Sequence, residues 1–204
     1  MQGFILHTQK VKDEDLIVYI LTKNFLIKSY RFYGLRHSNI LSGYKIDFEL
    51  EQNLNYLPRL KDVVHLGYEW IMDREKMFIW QEFIMLLYKH LKDVESVDEF
   101  YFKALDESVI KFSKQNSIRV IVDFYVKLLE FEGRLNRNFV CFSCDEIIKS
   151  DITLLRAFLP SHQKCAYGYS FDREKILEFY ENKNSSVFCD NDIKKIYSII
   201  KEGL

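Results

Sequence analysis

Tyr44-Lys45-Ile46-Asp47-Phe48-Glu49-Leu50 alternates apolar and charged residues without a break. In an extended chain successive side chains point to opposite faces. Tyr44, Ile46, Phe48 and Leu50 therefore face a core, while Lys45, Asp47 and Glu49 face water. The same period of two extends outward on both sides. It predicts strands over Gln2–Thr8, Leu16–Thr22, Phe25–Tyr33 and, entered through Pro58, Leu60–Leu66. Lys23-Asn24 makes a short turn between the second and third, and Gly34 ends the third at a position that tolerates a turn. Five evenly spaced strands within residues 1–68 suggest a small antiparallel barrel, an architecture that leaves few exposed edges.

From Glu69 onward the period becomes helical. Trp80, Phe83, Ile84, Leu87, Tyr88 and Leu91 form one apolar stripe at i, i+3, i+4, i+7, i+8 and i+11. Further helices are expected over Asp98–Ser113, Ser117–Glu132, Asp172–Asn182 and Asn191–Lys201. Ser117 is the expected N-cap and Gly133 the expected stop of the Ser117–Glu132 helix. The predicted class is α+β: a five-stranded OB-like antiparallel barrel over 1–68, then an all-α domain over 69–204. A small zinc-finger-like insertion falls at 139–168. Nothing near Gly67–Trp70 reads as a flexible linker, so the halves are expected to pack on each other.

The insertion is defined by Cys141 and Cys144, then His162 and Cys165, which read C-x2-C, seventeen residues, H-x2-C. Three of the four cysteines lie in this window. Two ligand pairs, each closing a turn, match the spacing of a structural zinc knuckle. Thiolates and a neutral imidazole suit zinc, and a closed four-ligand site supports a fold rather than a reaction. Cys189 lies outside the window and is the reserve ligand should His162 point away. A redox pair at Cys141 and Cys144 would need a thioredoxin-like strand–helix context, which is absent.

Composition narrows the functional classes. Net charge is −1, from 29 basic and 30 acidic residues, so bulk electrostatics do not make this a strongly basic nucleic-acid binder. The barrel half is slightly basic, with nine Lys/Arg against seven Asp/Glu, and the remainder slightly acidic, with 20 against 23. No signal peptide and no membrane-spanning apolar run is visible, which points to a cytoplasmic protein whose clustered cysteines hold metal. Nucleophile-elbow, zinc-protease, Walker and dinucleotide glycine motifs are absent, and His162 is not followed by the deaminase H-x-E pattern. The expectation is therefore a non-enzymatic protein.

Several stretches resemble the bacterial RecO family of recombinational repair proteins. Gly3-Phe4-Ile5-Leu6, then Asp13-Glu14-Asp15-Leu16-Ile17-Val18, then Leu21-Thr22 is similar to the family's opening. Arg31-Phe32-Tyr33-Gly34-Leu35-Arg36 sits where the family has a basic segment around a glycine. Leu128-Leu129-Glu130-Phe131-Glu132-Gly133 followed by Cys141-Phe142-Ser143-Cys144 is similar to its helix–glycine–finger passage. His162 stands where the family commonly has a third cysteine. The resemblance implies a nucleoid-associated mediator of DNA repair and recombination. It implies binding of single- and double-stranded DNA, annealing of complementary strands and, with RecR, loading of RecA onto strands covered by single-stranded-DNA-binding protein.

Barrels of this kind bind strands through a basic groove and aromatic platforms. Lys28, Tyr30 and Phe32 share one face of the third strand, Arg31 and Tyr33 the other, and Arg36 and His37 follow in the loop. One face must fill the core, so at most one set is free. The expected DNA-binding residues are Lys28, Tyr30, Arg31, Arg36, His37 and Lys45. Arg119, Lys127, Arg134 and Arg137 are candidates for extending a positive track over the helices, although solvated surface is their default reading. The competing class is a protein-interaction adaptor in repair, with weak or no DNA binding of its own.

Overall fold

The computed structural model describes residues 1–52 and 54–204. They form two compact units, Met1–Lys114 and Gln115–Leu204. The first contains strands β1 (Gln2–Lys10), β2 (Leu16–Leu21), β3 (Leu26–Arg31), β4 (Lys45–Glu51) and β5 (Arg59–His65), then helices α1 (Arg74–Leu91) and α2 (Glu99–Lys114). The strands close a barrel in the order β1-β2-β3-β5-β4. All five predicted strands are present, but the barrel is mixed rather than antiparallel, because β3 and β5 pair in parallel through Tyr30 and Arg59. The cause is topological. β4 pairs antiparallel with both β1 and β5, so β5 meets β3 running in the same direction.

Ile5, Leu16, Val18, Ile20, Ile46, Phe48 and Leu60 fill the barrel, with Tyr44 and Leu50 packed against them as the alternation requires. Gly3, Phe4, Ile5 and Leu6 are all buried, so β1 has two covered faces. Its outer face lies against α1 and α2, where Phe4 meets Trp80 of α1 and Phe102 of α2 at centroid distances of 6.4 and 5.4 Å. Trp80 and Tyr68 both donate to the carbonyl of Gly43, at 2.8 and 2.7 Å, so these buried aromatics keep their polar atoms satisfied. The change of period near residue 68 thus falls inside the first unit, and the helical stripe of α1 buries against the barrel.

The turn after β3 differs from its expected form. The left-handed residue is Tyr33, at φ 50°, and not Gly34. Gly34 is needed for space, because a Cβ there would come within 2.8 Å of the Leu16 side chain.

The second unit holds α3 (Ser117–Phe131), β6 (Ile152–Leu154), β7 (Pro160–Ser161), β8 (Ser170–Phe171), α4 (Arg173–Asn182) and α5 (Asp190–Lys201). It is not all-α. β6 pairs antiparallel with β7 and β8, and the β6–β7 hairpin is the excursion between the two ligand pairs. Strands of two or three residues are too short to show a period. Helix α3 packs on α5 and is capped by Asn116, whose side chain accepts from the Arg119 N–H at 3.2 Å, rather than by Ser117. Gly133, at φ 68°, ends the turn after it as expected. Among the described residues no helix is long and apolar enough to cross a membrane.

Candidate metal centre and nucleic-acid interface

The four ligand candidates come from two tight turns. Asp145 N–H donates to the Cys141 carbonyl at 2.9 Å and closes the first. Cys165 N–H donates to the His162 carbonyl, also at 2.9 Å, and closes the second. A bond from Phe142 N–H to the Pro160 carbonyl, 2.8 Å, ties the first turn to β7, which leads directly into His162. The three Sγ atoms and an imidazole nitrogen then lie within 4.8 Å of one another. Cys144 Sγ is 3.4 Å from His162 Nδ1, and Cys165 Sγ is 3.9 Å from both Cys144 Sγ and His162 Nδ1. Zinc–sulfur bonds of about 2.3 Å in a tetrahedron require sulfurs about 3.8 Å apart, so the donor set fits such an ion. Cys189 is not part of the cluster. It opens α5 and donates to Asp192 Oδ2 at 3.3 Å.

Electrostatics agree with the donor chemistry. Burial pushes the Cys141 thiol up. The Ser161 hydroxyl and the N–H groups of His162, Ser143 and Cys144 outweigh it and bring the thiol down to about 5. Cys165 is pushed up to about 11, by burial and then by its sulfur neighbours Cys144 and Cys141. Crowded sulfurs, one already favouring thiolate, form an environment that a divalent cation relieves. The cluster can hold a metal such as zinc.

The candidate nucleic-acid residues divide among three environments. On β3, Ile27 packs against the barrel core and Ser29 is fully buried, while Lys28 faces outward. Lys28 reaches over the Tyr19 ring on β2, 5.7 Å from its centroid. Tyr30 is on the same outer face, 4.9 Å from Phe32, and its hydroxyl donates to Asp15 Oδ2 at 2.6 Å. Arg31 turns inward at the end of the barrel, where Nη1 donates to the Leu60 carbonyl at 2.8 Å and Nη2 lies 3.3 Å from His37 Nε2. Arg36 pairs with Glu14 and lies 4.9 Å over the Tyr33 ring. Lys45 is elsewhere. Its ammonium pairs with Asp106 of α2 and sits over the rings of Phe4 and Phe102.

Arg59 was not among the sequence candidates, yet its guanidinium lies 4.8 Å over the Phe32 ring. The parallel β3–β5 pairing brings it there, and no local pattern announces such a pairing. Ile17, Tyr30, Phe32, Tyr56, Leu57 and Arg59, together with Glu51 and Gln52, line a groove of about 750 Å³. In the second unit, Arg119 is spent on the Ser185 and Phe188 carbonyls and Asp190, Arg134 on Glu132, and Arg137 on Glu130. These three are not a free positive track.

No curated protein matches the chain. Residues 1–71 match the family model described as RecO N terminal, which spans the whole barrel and stops before α1. The five-stranded barrel is therefore the part of the chain that is similar to the N-terminal domain of the RecO family.

Proposed function

We propose that the chain is a RecO-type mediator of DNA repair and recombination, acting by binding strands rather than by a chemical step. The observation that carries this reading is a barrel matching the RecO N-terminal model whose outer surface bears rings beside cations: exposed Phe32 under Arg59, exposed Tyr33 under Arg36, and half-buried Tyr19 under Lys28. A single strand laid along this face stacks bases on the rings and neutralises its phosphates with the guanidinium and ammonium groups. Binding of double strands, annealing, cooperation with RecR, contact with single-stranded-DNA-binding protein and delivery of RecA extend the proposal along the family's lines. A structural zinc at Cys141, Cys144, His162 and Cys165 is part of it. When bound, that ion would hold the two turns together; the four side chains themselves orient the finger.

Strand binding is expected to weaken steeply as salt rises, because phosphate contacts release counterions. Fluorescence anisotropy with a labelled single strand measures it. Phe32→Ala with Arg59→Ala should weaken binding about tenfold or more, since one stacked base is worth ~1–3 kcal/mol. Affinity that is flat across a salt series, or indifferent to this double substitution, refutes the barrel as the site.

A further inference from the structure

Arg31, Phe32, Tyr33, His37 and Arg59 surround a concavity of about 470 Å³ where β3 finishes and β5 begins. Its cations are under-compensated. Among the described residues Arg31 forms no ion pair, and its Nε is buried without a hydrogen-bond partner. Among the described residues the acidic partner of Arg59 is Glu51, at 3.9 Å, and Glu51 is held more closely by Lys61 at 2.8 Å. His37 adds a ring nitrogen to the polar wall, with Nε2 3.3 Å from Arg31 Nη2. Burial, and then the charge of Arg59, pull the Arg31 pKa down; Asp62 opposes them as the smallest influence.

We propose that this pocket seats the terminal phosphate of a nucleic-acid strand, with Arg31 and Arg59 as its cations. The reading rests on the strand-binding function above and names the strand feature that the end of the barrel selects. Three facts favour a phosphate group. Two guanidinium forks present several N–H donors, and phosphate oxygens accept them in pairs. Two cations match a phosphomonoester, which carries about −1.5 to −2 at neutral pH, better than an internal diester with about −1. Phe32, 45% exposed, lies directly beneath Arg59, so the adjoining base finds a ring where its phosphate finds a cation.

The test uses the full chain and short single strands of one sequence carrying a 5′-phosphate, a 3′-phosphate or only hydroxyl ends, compared by fluorescence anisotropy. A phosphate at one end is expected to tighten binding about tenfold, the scale of a charge-assisted hydrogen bond or two. Arg59→Gln should abolish most of that preference, whatever it does to binding of the hydroxyl-ended strand. Arg31→Gln is less informative because Arg31 also ties β3 to the Leu60 carbonyl. Inorganic phosphate, set against chloride at matched ionic strength, should erase the advantage of the phosphorylated strand and leave the hydroxyl-ended strand bound. Equal affinity for all three strands, or a preference that survives Arg59→Gln, overturns the pocket while leaving strand binding intact. Displacement of every strand alike by phosphate assigns the pocket to internal phosphates and overturns the terminal reading. No binding of any strand overturns this inference and the proposed function together.

Discussion

Asp15 is a structural tie between the β1–β2 turn and the end of β3. The acidic run Asp13-Glu14-Asp15 sits in the turn between β1 and β2, and two of its members are engaged. Glu14 pairs with Arg36, and Asp15 accepts from the Tyr30 hydroxyl and the Tyr33 N–H, each at 2.6 Å. The Tyr30 hydrogen bond, then that of Tyr33, hold the Asp15 carboxyl below the usual carboxylate range; burial opposes them and Lys12 assists. A carboxyl whose folded pKa is depressed stabilises the protein above its unfolded pKa, and the contribution is lost as pH falls through the folded value. Asp15→Asn should therefore flatten the acid limb of the stability profile below about pH 4, where free carboxylates titrate. Thermal melts across pH measure it, and an acid limb unchanged from the parent would sink the idea. The same substitution should weaken strand binding, because it frees the left-handed Tyr33 that carries one of the exposed rings. The acidic triplet and the aromatic pair were both visible in the sequence. Their partnership was not, since it joins residues 15 and 18 positions apart across a barrel end.

At the scale of elements, the finger was the most legible part of the second unit. Ligand pairs at x2 spacing specify two turns locally, and both formed, with His162 rather than Cys189 completing the set. What the spacing could not announce was the hairpin of β6 and β7 that brings the pairs together, because three- and two-residue strands carry no period. Metal analysis of protein purified without chelator should find about one zinc per chain. Cys144→Ser should reduce that to background, whereas Cys189→Ser should leave it in place. Binding free energy of a structural metal is folding free energy, so removal of the ion should lower the melting temperature by about 5 °C or more. Unchanged melting after verified metal loss would show that the cluster does not support the fold. Elsewhere the element reading was sound wherever one face was buried. Tyr44–Leu50 and the α1 stripe were plain. β1 was less so, because both of its faces are covered and Gly3 to Leu6 reads as an unbroken buried run.

For the whole molecule the informative boundary lies after α2. The family match ends at residue 71, but Phe4, Trp70, Trp80, Phe102 and Phe112 form one aromatic cluster reaching from β1 into both helices. A fragment ending at Lys114 should fold cooperatively, and one ending at Ile71 should not, because it exposes the outer face of β1. Circular dichroism melts with a hydrophobic dye check both. A cooperative, dye-free 1–71 fragment would show that the helices are dispensable to the barrel. The sequence by itself determined the five strands, the helical stripes and the ligand pairs, because each is a local pattern: a period of two, a period of 3.6, a fixed spacing. Only the tertiary structure decided which face of β3 is free, that β5 runs parallel to β3, and that Arg59 therefore joins Arg31 and Phe32 at one end of the barrel. Strand alternation defines two faces but does not name the inner one, and barrel closure depends on every strand at once.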